Sequence, residues 1–191
     1  MPACAKKARF LPQLAVLGML ALTGCGSRSV GNHFELNHVA ANWSDGYLKA
    51  TLHQTLTLSR EAREALVHGV ALTVQTELII RNAGDATRRK KYLESYEIRY
   101  LPLSEHYQLT PANGGEVKTF RRLRHLLADL SIVSLTFPAA GLAAGEYELL
   151  VRTHLDQRKI PPPMRLPVLF SSKWRHDSDW SAWPLYIRPQ A

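Results

Sequence analysis

Tyr47-Leu48-Lys49-Ala50-Thr51-Leu52-His53-Gln54-Thr55-Leu56-Thr57-Leu58 changes face with every residue. Leu48, Ala50, Leu52, Gln54, Leu56 and Leu58 fall on one side, and Lys49, Thr51, His53, Thr55 and Thr57 on the other. A side-chain period of two over this length predicts a strand with one face on a core and one in water. The same period returns along the chain. Val70 to Arg81 places Val70, Leu72, Val74, Leu78 and Ile80 on one face. Tyr92 to Leu101 does so with Tyr92, Tyr96, Ile98 and Tyr100, and aromatic and β-branched residues suit a pleated, half-buried surface. Phe34 to Trp43, Ser131 to Phe137 and Tyr147 to Asp156 are further strand candidates.

Turn chemistry separates these runs. Ser44-Asp45-Gly46 closes the first, and Asn113-Gly114-Gly115 joins His106–Thr110 to Glu116–Phe120 as a hairpin. Asn82 to Asp85 breaks another, and Pro138 to Gly145 separates two late strands. Two segments read as short helices. In the first, the Ser59 hydroxyl can accept an orphan backbone N–H, Glu61 and Glu64 suit the positive end of the dipole, Ala62, Ala65 and Leu66 make an apolar stripe, and Gly69 stops the helix. In the second, Phe120, Leu123, Leu126, Leu127 and Leu130 recur at helical spacing. Ile160 to Pro167 is too proline-rich for a central strand, while Leu166 to Phe170 can form an edge. The fold expected is mainly β, an antiparallel sandwich immunoglobulin-like in general architecture, with two short helices.

The N-terminus carries an address. Lys6, Lys7 and Arg9 precede the apolar run Phe10 to Leu22, which is laid out as a secretory signal and is too short to span a bilayer comfortably. Its end, Leu22-Thr23-Gly24-Cys25, resembles the bacterial lipobox position by position. The thiol is the nucleophile that takes up a diacylglyceryl group, and the small neighbours let a peptidase grip the extended backbone. The resemblance implies cleavage before Cys25, acylation of its new amine, and a lipid anchor facing the periplasm. Gly26, rather than an aspartate, after the cysteine points to the outer membrane rather than the inner.

The expected organisation is therefore a signal peptide over 1–24, a lipidated cysteine and tether over 25–33, and one β-rich domain over 34–191. Removing 24 residues from 191 leaves 167, enough for one buried core. Three of the 24 basic residues leave with the signal, so 21 cations face 16 anions, a net +5. Such a charge suits nucleic acid or anionic lipid, and export points away from the first of these. Cys4 leaves as well and Cys25 is acylated, so no disulfide is expected.

Catalytic and metal patterns are missing. The eight histidines form no ligand-spaced pair, although His53 and His154 on exposed strand faces could be folded together. Asp177-Ser178-Asp179 lacks the glycine and distal glutamate of a calcium loop, and no nucleophile elbow occurs. No metal, cofactor or catalytic residue is expected. Two kinds of surface remain. Arg88, Arg89, Lys90 and Lys91, Arg121, Arg122 and Arg124, and Arg158 with Lys159 are basic clusters, readable as solvated faces or as contacts for anionic headgroups and lipopolysaccharide phosphates. Trp174, Trp180 and Trp183 are readable as a docking surface or as anchors for the C-terminal segment.

The order of these features resembles the proteobacterial domain-of-unknown-function family 4390, exported proteins sometimes labelled proline-rich signal peptide proteins. The carrying residues are Tyr47–Leu58, the short helix before Gly69-Val70-Ala71-Leu72, Tyr92–Tyr100 with His106–Leu109, Phe120 with Leu123, Leu155-Asp156, Ile160-Pro161, and the late Trp174, Ser178 and Trp180. The resemblance covers nearly all of the mature chain and brings no established activity. Family members are often encoded beside a nitrogen-regulation-type sensor kinase, which implies a link to envelope signalling. The lipobox sets this chain apart from the simple secreted forms. Two functions are thus expected to compete: a non-catalytic binding or accessory module that contacts another envelope protein, and a ligand carrier or enzyme whose site no motif reveals.

Overall fold

A computed structural model describes residues 34–82, 84, 89–162 and 171–188. Leu22, Thr23, Gly24 and Cys25, the tether, Arg88 and the edge expected over 166–170 lie outside the described residues. The chain runs β1 (Phe34–Ser44), β2 (Tyr47–Leu56), α1 (Arg60–Val67), β3 (Leu72–Asn82), β4 (Arg89–Leu101), β5 (His106–Pro111), β6 (Lys118–Phe120), α2 (Leu123–Asp129), β7 (Ile132–Pro138), β8 (Gly145–Leu155) and β9 (Ser181–Ile187). Two antiparallel sheets form, one ordered β1-β2-β7 and one β6-β5-β4-β3-β8-β9. They lie in the sandwich-like arrangement that the alternation predicts.

β2 buries Leu48, Ala50, Leu52, Gln54 and Leu56 and leaves Lys49, His53 and Thr55 exposed. Its pairing with β1 is set by the two-residue turn Asp45-Gly46, where φ is +53° and +77°. Both signs are those of a type I′ turn, whose twist matches that of the flanking strands. Leu72, Val74, Leu78 and Ile80 of β3 oppose β2 across the core, with Leu149, Val151 and Leu155 of β8 beside them. The Tyr92 ring of β4 stacks on Phe137 of β7 at 4.9 Å, and its hydroxyl donates to the Pro138 carbonyl at 2.7 Å.

The helices cap one end of the sandwich. The Ser59 side chain accepts from the Ala62 N–H at 3.1 Å, and α1 buries Ala62, Ala65 and Leu66. Gly69 then takes φ +90°, where a side chain would be strained, and lets Val70 N–H reach the Ala65 carbonyl. α2 joins β6, an edge of the larger sheet, to β7, an edge of the smaller one.

Four details depart from expectation, beginning with β9, a strand in a tail that the sequence marked only by its tryptophans. β4 begins at Arg89, so Arg89, Lys90 and Lys91 are strand residues paired with Arg81, Ile80 and Ile79 rather than part of a corner, while Lys91 keeps an exposed side chain. β3 begins at Leu72 and is buried on both faces, because the single-turn 3₁₀ segment at Gln157–Lys159 packs beside it and Lys91, Arg152 and His154 gather over its outer side. The Asp156 N–H donates to the Thr73 carbonyl at 2.8 Å in that layer. Finally, β6 is limited to Lys118–Phe120, shorter than the run from Glu116.

Candidate functional site

Polar chemistry collects in two places, on opposite faces of the six-stranded sheet. The first is inside the sandwich. β2 puts Gln54 on its core face because it shares the parity of Leu52 and Leu56. The Gln54 amide donates to the Leu130 carbonyl at the end of α2 at 2.8 Å, and its carbonyl accepts from the Thr153 hydroxyl at 2.8 Å. Thr153 in turn lies 3.2 Å from the Thr76 hydroxyl, which must donate because Thr153's own proton is in use. This chain ties the two sheets and α2 together with neutral groups, the form in which polar atoms are least costly to bury.

Glu94 belongs to the same face. It pairs with Thr76 across β3 and β4 and is nearly fully buried. Burial pushes its carboxyl above the usual range, against opposing hydrogen bonds from the Ser95 backbone and the Asn113 side chain. Its Oε1 has no hydrogen-bond partner in the structure. Tyr96, next on that face, is pushed up to about 12, first by burial and then by the charges of Glu94 and Asp129. The alternation contained the signal for Glu94, since it has the parity of Tyr92 and Tyr96. Its charge argued for the other face.

The second place is the outer face. Glu77 pairs with Lys91 there, Arg152 with Asp177, and Arg158 with Asp156. Burial opposes ionisation of Asp177, but hydrogen bonds and charge from Arg152 outweigh it and hold the carboxyl below its ordinary value. His154 is lowered by burial and then by Arg152, and its Nδ1 lies 3.7 Å from Glu77 Oε1. A shallow depression of about 680 Å³ lies over these groups. Its carboxylates are each engaged by a cation, while Arg175 on its rim is exposed. Ser178, the nearby hydroxyl, accepts from Thr153 N–H and donates to the Asp179 carbonyl. The lattice thus fastens the segment from Ser172 to Ser178 onto β8, helped by Leu155 N–H bonding to the His176 carbonyl.

The expected site residues are dispersed. Trp174 is buried, Trp183 is half-buried with its ring 5.5 Å from His38 in a T-shaped contact, and Trp180 is 42% exposed beneath the Arg152 guanidinium. The first two anchor the C-terminal segment, Trp183 keeping part of its ring at the surface, and Trp180 is the most exposed of the three. His53 lies near His38 on the small sheet, at 6.0 Å between rings, and His154 on the large one, so the two are not brought together. Among the described residues no group of His, Cys, Asp or Glu converges where a metal ion could sit. The basic clusters divide between the ends. Lys90, bonded to the Ala140 carbonyl, and Lys91 lie towards the turn end, and exposed Arg121, Arg122 and Arg124 lie at the helix end, where the domain begins at Phe34.

Two grooves complete the surface. β1 and β9 are each paired on one side only, and they approach one another along one side of the sandwich. A groove of about 1180 Å³ opens there, with Trp43, Asp45, Glu146, Trp183 and Tyr186 among its lining. A smaller one of about 580 Å³ lies between α1 and α2. No described helix is long and apolar enough to cross a membrane.

A family model described as "Domain of unknown function (DUF4390)" matches residues 31–184. No curated protein and no solved structure matches the chain. The chain belongs to the DUF4390 family.

Proposed function

We propose that this DUF4390 chain is an envelope lipoprotein, held in the membrane through acylated Cys25 and facing the periplasm, whose β-domain is a non-catalytic accessory module for another envelope protein. The observation that carries the binding role is the open side of the sandwich. β1 and β9 present unpaired strand edges beside a solvent-open groove, while α2 bridges the opposite edges. A row of unpaired backbone N–H and C=O groups is a template for an added strand, with adjacent pockets for side chains. Pro184 within β9 removes one donor from that edge, which leaves β1 as the better template. The outer-face carboxylates Glu77, Asp156 and Asp177 are each engaged by a cation, which favours a fastening role for that face.

The anchor and the module are tested separately. Cys25→Ser should leave an unprocessed precursor without acyl label, and normal maturation of the variant would remove the lipoprotein from this reading. A photo-crosslinking residue at Asn42, exposed in the β1 groove, should trap one discrete envelope protein in living cells. The same residue at Thr136, exposed on β7, should not. Equal yields at both positions would argue against the open side as the docking face.

A further inference from the structure

The domain meets its anchor at the helix end, and that end is built differently from the other. Phe34, the first described residue, pairs with Leu56. Leu56, Leu58, Leu123 and Leu127 line the groove between α1 and α2, together with Arg63 and Arg124. Arg63, Arg121, Arg122 and Arg124 are exposed and form no ion pair among the described residues. The nearest hairpin tip, between β4 and β5, presents Leu103 wholly exposed at the same end. At the other end of β2, Asp45, Glu146 and Arg188 line the opening, a mixed set.

We infer that the α1–α2 groove is a docking site for anionic phospholipid headgroups of the membrane that holds the anchor, with Arg63 and Arg124 on the phosphate and the leucines against the glycerol and upper acyl region. The inference rests on the lipid-anchor reading of Cys25. Two independent features select a lipid surface as the occupant. One is reach: only eight residues, 26–33, separate Cys25 from Phe34, and the nine steps between them span about 30 Å when fully extended. Phe34 is one strand spacing from the groove wall, so the anchor joins the domain at this end, beside the groove. The other is chemistry. Exposed guanidiniums with no carboxylate partner, Arg124 bonding only to the His125 ring at 3.3 Å, stand beside apolar side chains and match a headgroup phosphate above an acyl layer, and basic residues close to an anionic leaflet are drawn to it within a Debye length. The domain would then stand on its helix end, with the β1–β9 groove running away from the membrane and open to a partner.

The test uses the full, processed chain in vesicles. Thr57 is exposed on the groove, and Tyr47 is exposed at the opposite end of β2, about 33 Å away by strand rise. Thr57→Cys and Tyr47→Cys each supply the one free thiol, because Cys4 leaves with the signal and Cys25 is acylated. Each carries an environment-sensitive fluorophore, and the vesicles contain phosphatidylglycerol in phosphatidylcholine with a headgroup-level quenching lipid. Quenching at Thr57 should exceed that at Tyr47 by about three-fold or more, and should fall to the Tyr47 level in Arg63→Glu/Arg124→Glu. The variant should still float with the vesicles and melt at the wild-type temperature, and Arg63→Lys/Arg124→Lys should keep most of the signal. Equal quenching at both positions, or quenching at Thr57 that survives charge reversal or is the same in pure phosphatidylcholine, overturns the headgroup site while leaving the anchor intact. A wild-type chain that does not float overturns the anchor, and the headgroup site with it.

Discussion

The six-stranded sheet handles polar groups in opposite ways on its two faces. Between the sheets, Gln54, Thr76 and Thr153 are neutral and pass hydrogen bonds to one another, and the one carboxyl among them, Glu94, is pushed towards its protonated form. On the outer face Glu77, Asp156 and Asp177 each have a cation within reach, and Asp177 is held below its ordinary pKa. The strands are shared, so side-chain parity alone assigns a residue to one regime or the other. What differs is water. A charge between two sheets has neither solvent nor counter-ion, whereas an outer carboxylate keeps part of its hydration and a guanidinium partner.

That contrast can be broken most forcefully at the core. Leu52→Ala should cost about 2–5 kcal/mol in chemical denaturation, as large-to-small changes at fully buried sites do. A cost no greater than that of a surface change would mean that β2 does not bury its even-numbered face. Next comes the neutral chain. Thr153→Val keeps the shape but strands the Gln54 carbonyl and the Thr76 hydroxyl, for about 1–3 kcal/mol. An unchanged midpoint would show that the band contributes no cohesion between the sheets.

The two carboxyls sharpen the comparison through pH. Glu94 has its folded-state pKa raised, so its contribution is most favourable below the ordinary carboxylate pKa and worsens as pH rises through the folded value. Glu94→Gln should therefore raise the Tm at neutral pH by a few degrees and change it little in acid. Asp177 has its folded pKa depressed, so its stabilisation is present above the ordinary value and is lost as pH falls through the folded one. Asp177→Asn should lower the Tm at neutral pH and flatten the acid limb of the Tm–pH curve. If both variants bend the curve in the same direction, the two faces are not the separate regimes described above. The smallest effect belongs to Thr55→Ala. Its hydroxyl bonds to Asn37 at 3.1 Å in full view of solvent, and the loss should stay within about 0.5 kcal/mol by the same denaturation assay.

Much of this organisation was written locally. The alternation of Tyr47–Leu58 sorted core from solvent residue by residue, Ser59 and Gly69 bounded α1, and Asp45-Gly46 supplied the turn. The site was less legible. The tryptophans were visible as a group, but burial of Trp174 and Trp183 depends on where the C-terminal segment lies. Glu94 was on a core face by parity, and a charged side chain gave no local reason to accept that.

The sequence by itself determined most of the elements, the faces of β2, most of the turns and the family resemblance, because these depend on side-chain period and on the φ values that glycine, aspartate and serine permit within a few residues, whereas β9 and the second buried face of β3 came only with the fold. Only the tertiary structure decided which strands are neighbours. Setting β8 between β3 and β9, β7 beside β2, and α2 across one pair of edges fixed everything else of functional interest. It joined Gln54 to Thr153, 99 positions apart, left β1 and β9 open on one side, and gathered Arg63 and Arg124 around one groove at the end where the chain enters. Such contacts are long-range: they depend on which sheet edge each strand joins, and no local propensity carries that choice.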